Sequence, residues 1–237
     1  MSRNARRQQR RNNDDHLTLV EPMRRPAPVV KPLTGLTSNQ NRLIRYLHSH
    51  QIVFAIGDAG TGKSYVAVTV AADMLREGQI ERIVIARPMV TVDDDDVGAL
   101  PGTLEEKIAP YIAPVRSILE ERLGAGQLKY MIDNGRVVAV PVAFMLGMTL
   151  SDCFILADEA QNLTKRQFKC LLTRLGRNSH IAITGDSRQV DIKNSGLTDA
   201  IERISHIPSV AVVEFERCDV VRHSVVAEIL QAYDDEE

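Results

Sequence analysis

Short apolar runs alternate with segments of helical periodicity along most of the chain. The apolar runs have the length and the β-branched content of buried strands, and they cover residues 51–56, 82–86, 137–140, 153–157, 180–184 and 210–215. Helical segments lie between most of these runs. Because this alternation is typical of a mainly parallel sheet with helices on both faces, the pattern predicts an α/β fold.

Several residues mark where the predicted helices begin and end. Capping boxes at Thr103 and Thr164 predict helices that begin near residues 104 and 165. Pro110 and Pro114 predict that the helix over residues 104–123 is kinked or divided. Glycines predict three helix ends, at Gly78, Gly124 and Gly176.

A glycine-rich loop follows the first predicted strand. The stretch GDAGTGKS, residues 57–64, fits the pattern GxxxxGK[ST] between a strand and a helix. Its glycines permit a backbone in which successive N–H groups surround phosphate oxygens, while Lys63 reaches the β- and γ-phosphates and Ser64 ligates Mg²⁺. We predict an ATP and Mg²⁺ site whose loop residues are Gly57, Asp58, Ala59, Gly60, Thr61, Gly62, Lys63, Ser64 and Tyr65.

Two adjacent carboxylates follow the buried strand at 153–157. Ligands of open α/β sheets bind at the carboxyl ends of the strands, where Asp158 and Glu159 stand. We predict that Asp158 holds Mg²⁺ through water and that Glu159 orients and deprotonates an attacking water. This pair favours hydrolysis over transfer to an acceptor. The alternative is that the carboxylates stabilise the N-terminus of the next helix.

The strand at 180–184 ends in a third polar motif. Gly185, Asp186 and Gln189 belong to the stretch HIAITGDSRQV. An acceptor and an amide at this strand end are suited to sensing the γ-phosphate and relaying its loss. A plain turn is the alternative interpretation.

Charge is distributed unevenly along the 237 residues. Residues 1–33 have a net charge of +5, while the whole chain has −2, so the remainder has about −7. We predict a disordered basic arm before about Leu33 and a single domain over residues 34–237. The arm is either a solvated tail or a contact for an anionic partner such as RNA or single-stranded DNA.

Composition limits the other function classes. No apolar run has the length of a membrane span, and the N-terminus has no apolar signal-peptide segment, so we expect a cytoplasmic protein without membrane contact. The cysteines form no CxxC pair, and we predict reduced thiols at Cys153, Cys170 and Cys218.

The ordered motifs of the chain resemble those of PhoH-like proteins. They include GDAGTGKS, ARP, PYIAP, PVAFMLGMTL, LADEAQN, LTRLG, GDSRQVD, NSGL and DVVRH, and they span roughly residues 34–233. The resemblance implies a RecA-like P-loop NTPase core similar to that of superfamily 1 helicases, with a link to RNA metabolism. It places Gln40 like the adenine-reading glutamine of those enzymes; a surface polar residue is the alternative.

The sequence departs from the family pattern at two places. Leu146, Gly147 and Met148 stand where many members have an Arg-rich turn, and Asp93–Asp96 replace a loop of the Gly-Glu-Lys type. Both changes remove basic side chains, so helicase activity is less strongly indicated than ATP binding. We interpret Asp93–Asp96 as a solvated acidic loop.

Two arginines are candidates for stabilising the transition state from the same subunit or from a neighbour in a homo-oligomeric ring. Arg174 lies at a predicted helix C-terminus, where a cation also suits the helix dipole. Arg222 falls in the first turn of a final helix if Asp219 caps that helix, and there the dipole opposes a cation. A salt bridge is the alternative role for Arg222.

Three functions are consistent with these motifs. The first is an ATPase acting on RNA or single-stranded DNA, and the second is a nucleotide-dependent switch that binds a protein partner. The third is a P-loop kinase, which the carboxylate pair at Asp158 and Glu159 disfavours.

Overall fold

The computed structural model describes residues 30–88, 104–186, 192 and 194–221, with the backbone alone for residues 104–112. Several predicted features lie outside these residues: most of the basic arm, the Asp93–Asp96 loop, the capping residue Thr103, Gln189, and the final helix with Arg222. No helix in the part of the chain that is described is long and apolar enough to cross a membrane.

One parallel sheet organises the fold. Its strands are β1 (Ile52–Gly57), β2 (Arg82–Arg87), β3 (Val137–Pro141), β4 (Cys153–Ala157), β5 (His180–Gly185) and β6 (Val210–Phe215). The spatial order is β3-β2-β4-β5-β1-β6, and every neighbouring pair is parallel. The α/β fold predicted from the alternating pattern is therefore confirmed, and each strand lies within one residue of its predicted bounds.

Helices connect the strands. They are α1 (Ser38–Ser49), α2 (Lys63–Arg76), α3 (Leu104–Leu123), α4 (Ala125–Asp133), α5 (Lys165–Leu172) and α6 (Leu197–Ile204). Short 3-10 turns cover Val142–Met145, Ala160–Asn162 and Arg217–Asp219. The capping box at Thr164 is present, with Thr164 N–H donating to Gln167 Oε1 at 2.8 Å. The prolines do not divide α3, which is one helix of 20 residues.

Side chains of the strands alternate between two apolar layers. On β4, Phe154 and Leu156 pack with the buried faces of α1, α2, α3 and α4, whereas Ile155 packs with α5 and α6 on the opposite face. Because successive strand residues point to opposite faces, a strand covered by helices on both sides is apolar along its whole length. This explains why the strands appear in the sequence as continuous apolar runs.

The beginning of the described chain contacts the apolar layer that contains α1, α2, α3 and α4. Leu33 packs against the core, and Arg122 Nη1 donates to Lys31 O at 2.8 Å. The buried Arg122 also pairs with Asp73 of α2. These contacts mean that the last few residues of the predicted arm, from Lys31 onward, are fixed on the domain.

Candidate active site

Polar residues gather where four strands end at the carboxyl edge of the sheet. The glycine-rich loop follows β1, Asp158 and Glu159 follow β4, and Asp186 follows β5. Arg87 is the last residue of β2. Because β2, β4, β5 and β1 are consecutive neighbours in one parallel sheet, their ends form a single row.

The glycine-rich loop depends on glycine at specific positions. Gly57, Gly60 and Gly62 have φ values of 132°, 80° and 83°, which residues with a Cβ rarely adopt. Gly62 directly precedes α2 and has no side chain with which to cap that helix. The first N–H groups of α2 and its positive dipole end are therefore suited to an anion.

Lys63 is folded back onto the loop. Its Nζ donates to Gly57 O and Asp58 O, both at 2.6 Å, and to Thr61 Oγ1 at 3.2 Å, in a residue that is only 8 % exposed. Burial lowers the pKa of Lys63, and four surrounding carboxylates oppose this effect, those of Asp186, Asp58, Glu159 and Asp158. A buried cation held mainly by carbonyl groups is available to a phosphate.

A hydrogen-bond cluster joins the loop to β4, β5 and β2 through the carboxylate of Asp158. Ser64 Oγ donates to Asp158 Oδ1 at 2.8 Å, and Thr184 Oγ1 donates to the same oxygen at 2.6 Å. Arg87 Nη2 donates to Asp158 Oδ2 at 2.6 Å. Asp158 thus contacts three other strand ends or loops of the site rather than the helix that follows it.

Glu159 has a strained backbone. Its φ is 54°, in the left-handed region that is uncommon for a residue other than Gly, Asn or Asp. The residue is exposed, and its Oε2 accepts a 2.7 Å hydrogen bond from Gln161 Nε2. The carboxylate of Glu159 therefore makes no capping hydrogen bond to the turn Ala160–Asn162 that follows it, and Thr164 is the cap of α5.

Gln161 connects Glu159 to the third motif. This glutamine is 1 % exposed, and its Oε1 accepts from the N–H of Asp186 at 3.1 Å. The carboxylate of Asp186 in turn accepts from Ala59 N–H of the loop at 3.1 Å. Asp186 is thus a buried contact between β5 and the loop. One chain of hydrogen bonds joins Glu159 to the glycine-rich loop.

Gln40 supports the loop from α1. Its Nε2 donates to Thr61 O at 2.9 Å, and its Oε1 accepts from Leu36 N–H at 2.8 Å. The residue is 4 % exposed, so the alternative of a surface polar side chain is wrong. A Cβ at Gly62 would lie 2.7 Å from Gln40 Nε2. Gln40 therefore packs directly on the loop, and an adenine contact stays a prediction.

The remaining predicted residues lie at different places. Tyr65, on the first turn of α2, is 40 % exposed. Arg174 lies after α5 at the opposite, amino edge of the sheet, where Nε donates to Cys170 O and Nη1 to Met148 O. Within one subunit Arg174 is therefore remote from the loop.

The predicted cap of the final helix has other partners. Asp219 is buried and accepts from Asn39 Nδ2 at 2.7 Å and from Glu216 N–H at 3.0 Å. The N–H of Val221 donates to Gly60 O at 3.2 Å. The chain after β6 therefore returns to the glycine-rich loop, immediately before Arg222.

Sequence reasoning assigned no role to Arg87, Gln161 or Thr184, although all three belong to the hydrogen-bonded cluster. The sequence did contain an indication for Arg87, because a charged residue at the end of an apolar strand lies at the same edge of the sheet as the other strand ends. Thr184 and Gln161 had no comparable signal, since their importance depends on which strands are neighbours.

The residues present fit a magnesium ion. The Ser64 hydroxyl gives its hydrogen to Asp158, which leaves the oxygen lone pairs for a metal, and hydroxyl and carboxylate oxygens are ligands that Mg²⁺ prefers. Ser64 and Asp158 are the residues that would hold it.

Comparison with known proteins identifies the family. Residues 32–234 match the family described as PhoH-like protein. The chain belongs to this family. The PhoH-like protein of Bacillus subtilis is 40 % identical over 207 residues, which cover 86 % of this chain and 65 % of the relative. The protein PhoH of Escherichia coli K12 is 37 % identical over 216 residues, which cover 89 % of this chain and 61 % of the relative. This PhoH-like chain thus spans somewhat less than two thirds of the length of these relatives.

A solved structure has a similar fold. The large terminase of a thermophilic bacteriophage superposes with a TM-score of 0.50 at 11 % identity, covering 85 % of this chain and 50 % of the terminase. This likeness concerns the fold alone. Together with the family match and the loop between β1 and α2, it supports a nucleotide-binding P-loop NTPase fold.

Proposed function

We propose that this PhoH-like protein hydrolyses ATP in a Mg²⁺-dependent reaction. The proposal rests mainly on the hydrogen bond between Ser64 and Asp158, which joins the glycine-rich loop to the end of β4. This bond brings a metal-binding hydroxyl and a metal-binding carboxylate together next to a buried lysine. Such a combination is suited to the phosphates of a nucleotide.

Each residue has a separate task in this reaction. Lys63 exchanges its contacts with Gly57 O and Asp58 O for the β- and γ-phosphates of ATP, whose charge it neutralises. The N–H groups at the start of α2 bind the same phosphates. A bound magnesium ion would supply further neutralisation of the developing charge on the γ-phosphate.

Glu159 is the proposed general base. A water that attacks the γ-phosphate must be oriented and must lose a proton, and an exposed carboxylate beside the loop is suited to both tasks. Gln161 fixes the Glu159 carboxylate through the 2.7 Å hydrogen bond. Gln161 also accepts from Asp186 N–H. A change at Glu159 when the γ-phosphate is lost can therefore be transmitted through Gln161 to the end of β5.

Replacement of Lys63 tests the proposal. Lys63→Ala removes the buried cation, so we expect ATP binding and turnover to be lost while the protein stays folded. The control is Lys129→Ala, which removes a lysine whose side chain is 76 % exposed on α4. Binding is measured by calorimetry, turnover by phosphate release and folding by circular dichroism. Full hydrolysis by folded Lys63→Ala protein would refute the proposed site.

We also propose that ATP hydrolysis is coupled to RNA or single-stranded DNA through the basic arm. The support is its net charge of +5 over residues 1–33, against a net negative remainder. Since Lys31 O accepts from Arg122 Nη1, the informative deletion ends at residue 29. It should spare basal hydrolysis and flatten the log–log salt dependence of RNA affinity by about 0.7 for each phosphate that the arm neutralises. Unchanged affinity and slope would show that the arm is a solvated tail.

A nucleotide-dependent switch that binds a protein is the second candidate function. It is favoured by an exposed apolar turn at the position where many family members have arginines. Leu146 and Met148 of this turn are 74 % and 39 % exposed, and Phe144, which precedes the turn, is 60 % exposed. Stimulation of hydrolysis by RNA would favour the first function, whereas slow hydrolysis that RNA does not change would favour the switch.

An arginine from a neighbouring subunit is a further part of the proposal. Arg174 cannot reach its own loop, so it acts in catalysis only if a homo-oligomer, such as a ring, places it beside another subunit's site. Arg222 follows Val221, which is bonded to Gly60 O. Mixing an Arg222→Ala protein with a Glu159→Gln protein should restore activity if Arg222 acts between subunits. A monomer with concentration-independent turnover would exclude such action.

A further inference from the structure

Arg87 lies beside Asp158 because their strands are paired. Ala86 of β2 is in register with Ala157 of β4, so the next residues of the two strands leave the sheet together. The Arg87 side chain is 18 % exposed, and its Nη2 donates to Asp158 Oδ2 at 2.6 Å. Asp158 also accepts from Ser64, so the guanidinium is two hydrogen bonds away from the loop.

The hydrogen-bonding capacity of Arg87 is incompletely used. A guanidinium has five N–H donors in a rigid fork, and arginine–carboxylate pairs are frequently bidentate. Here the hydrogen bond to Asp158 uses one nitrogen only, and the buried Nε has no hydrogen-bond partner among the residues that the structure describes. A buried donor without a partner costs free energy, which a ligand that accepts from it recovers.

The charges around Arg87 indicate the class of that ligand. The carboxylates of Asp158, Glu159, Asp58 and Asp186 all act on Lys63, so the crevice already contains several anionic groups. Asp158 is shared among three donors in the structure. An anionic ligand that enters beside Lys63 is stabilised by a second cation that faces the same crevice. Among the residues that the structure describes, Arg87 is the arginine that shares the Asp158 carboxylate with the loop hydroxyl of Ser64.

We propose that Arg87 binds the terminal phosphate of ATP within its own subunit. The inference rests on the proposed nucleotide site. In the nucleotide-free protein Arg87 neutralises Asp158; with ATP bound, donors left unused by Asp158 contact the γ-phosphate. ADP lacks that phosphate, so Arg87 distinguishes ATP from ADP. A cation supplied in this way is present without any neighbouring subunit.

Equilibrium binding tests the proposal without relying on turnover. The affinities of a non-hydrolysable ATP analogue and of ADP are measured by calorimetry for wild type and for Arg87→Gln. Loss of a hydrogen-bonded charge should weaken the ATP analogue about tenfold to a hundredfold while ADP changes little, so the ratio of the two affinities falls. Arg87→Lys, which keeps the charge, should recover part of the ratio.

A control from the same strand addresses general effects of charge. Arg82 is exposed at the amino end of β2, so Arg82→Gln removes an equal charge from the opposite edge of the sheet. We expect its affinity ratio to equal that of the wild type. An unchanged ratio in Arg87→Gln, whether both affinities fall or neither does, would overturn the proposal and leave Arg87 as a structural partner of Asp158.

A second pair of variants tests the proposal even if the Arg87→Gln protein does not fold. Arg87→Gln leaves the largely buried Asp158 carboxylate without its cation, and this alone can unfold the protein. Asp158→Asn and the double variant Asp158→Asn with Arg87→Gln both lack that carboxylate, so their comparison without Mg²⁺ isolates Arg87. Equal ratios in these two proteins would also overturn the proposal. Wild type that binds neither nucleotide would refute the proposed function itself, which is a different outcome.

Discussion

The amino edge of the sheet contains Asp152 and Asn178, and the carboxyl edge contains Glu159; all three have φ between 50° and 54°. At the amino edge, Asn178 Nδ2 donates to Asp152 Oδ1 at 3.1 Å and to Gln79 O at 3.2 Å. These polar groups join the turns that precede β2, β4 and β5 to one another. At the carboxyl edge, hydrogen bonds also join separate strand ends, but here a lysine is buried beside them. A left-handed residue alone therefore does not indicate a site; buried charge and unused donors beside it do.

The largest expected effect concerns the two acidic residues with a left-handed backbone, Glu159 and Asp152. Glu159→Gln keeps the shape of the side chain but removes the base, so turnover should fall by about 10² to 10⁴ while ATP remains bound. Asp152→Asn is the matched change at the amino edge and should leave turnover unchanged. Single-turnover phosphate release and nucleotide retention on gel filtration measure both variants. Equal losses in the two variants would contradict the distinction between the edges.

The two glycines at the ends of α2 provide a second test. Gly62 and Gly78 have φ values of 83° and 74°, but a Cβ at Gly62 would lie 2.7 Å from Gln40 Nε2, whereas at Gly78 it meets nothing within 4 Å. Gly78→Ala should lower the free energy of unfolding by about 1–2 kcal/mol through backbone strain, without affecting nucleotide affinity. Gly62→Ala should cost more stability and weaken ATP at least about tenfold, because the loop must shift. Calorimetric binding and urea unfolding measure these effects, and normal ATP affinity in Gly62→Ala would count against the described loop geometry.

Arg174 tests the amino edge directly. Its guanidinium joins Cys170 O to Met148 O, so Arg174→Ala should lower the free energy of unfolding by about 1 kcal/mol. We expect turnover to stay close to that of the wild type. Urea unfolding and phosphate release are the measurements. A fall in turnover of about 10³ or more at unchanged ATP affinity would instead show that this arginine acts on another subunit.

The smallest expected effect is a pH dependence of stability. Burial lowers the pKa of Lys63 below 10.5, so the folded protein releases this proton before the unfolded chain does. As pH rises through the lowered pKa toward 10.5, the cost of the buried charge is relieved, and nucleotide-free wild type should gain stability relative to Lys63→Met. Denaturant unfolding at a series of alkaline pH values measures this difference. A difference that stays constant or decreases would show that Lys63 is not penalised by burial.

The sequence predicted the strands well because helices cover both faces of the sheet, which leaves each strand apolar throughout its length. The loop at residues 57–64 was also predictable, because its glycines and lysine have a fixed spacing. The continuity of α3 was not predictable in the same way, because α3 is one helix of 20 residues despite two prolines. The local conformational preferences of residues take no account of the packing of α3 on α2, in which residues such as Leu119 take part.

The contacts between motifs could not be predicted to the same extent. Periodicity does not give the order of strands, so the pairing of β2 with β4, which brings Arg87 to Asp158, was hidden. The buried position of Gln40 was hidden for the same reason, since its partner Thr61 is distant in sequence. A long-range hydrogen bond depends on the folded arrangement, and the sequence of a single chain contains no direct sign of it.

The return of the chain to the glycine-rich loop after β6 has a practical consequence for spectroscopy. Cys218 is the exposed thiol of the three cysteines, with Cys153 buried and Cys170 partly so, and it lies close in sequence to Val221, which is bonded to Gly60 O. A maleimide fluorophore should therefore attach selectively at Cys218 without any engineered cysteine. Its emission would report occupancy of the loop in real time, because a movement of Gly60 shifts the backbone that carries the dye.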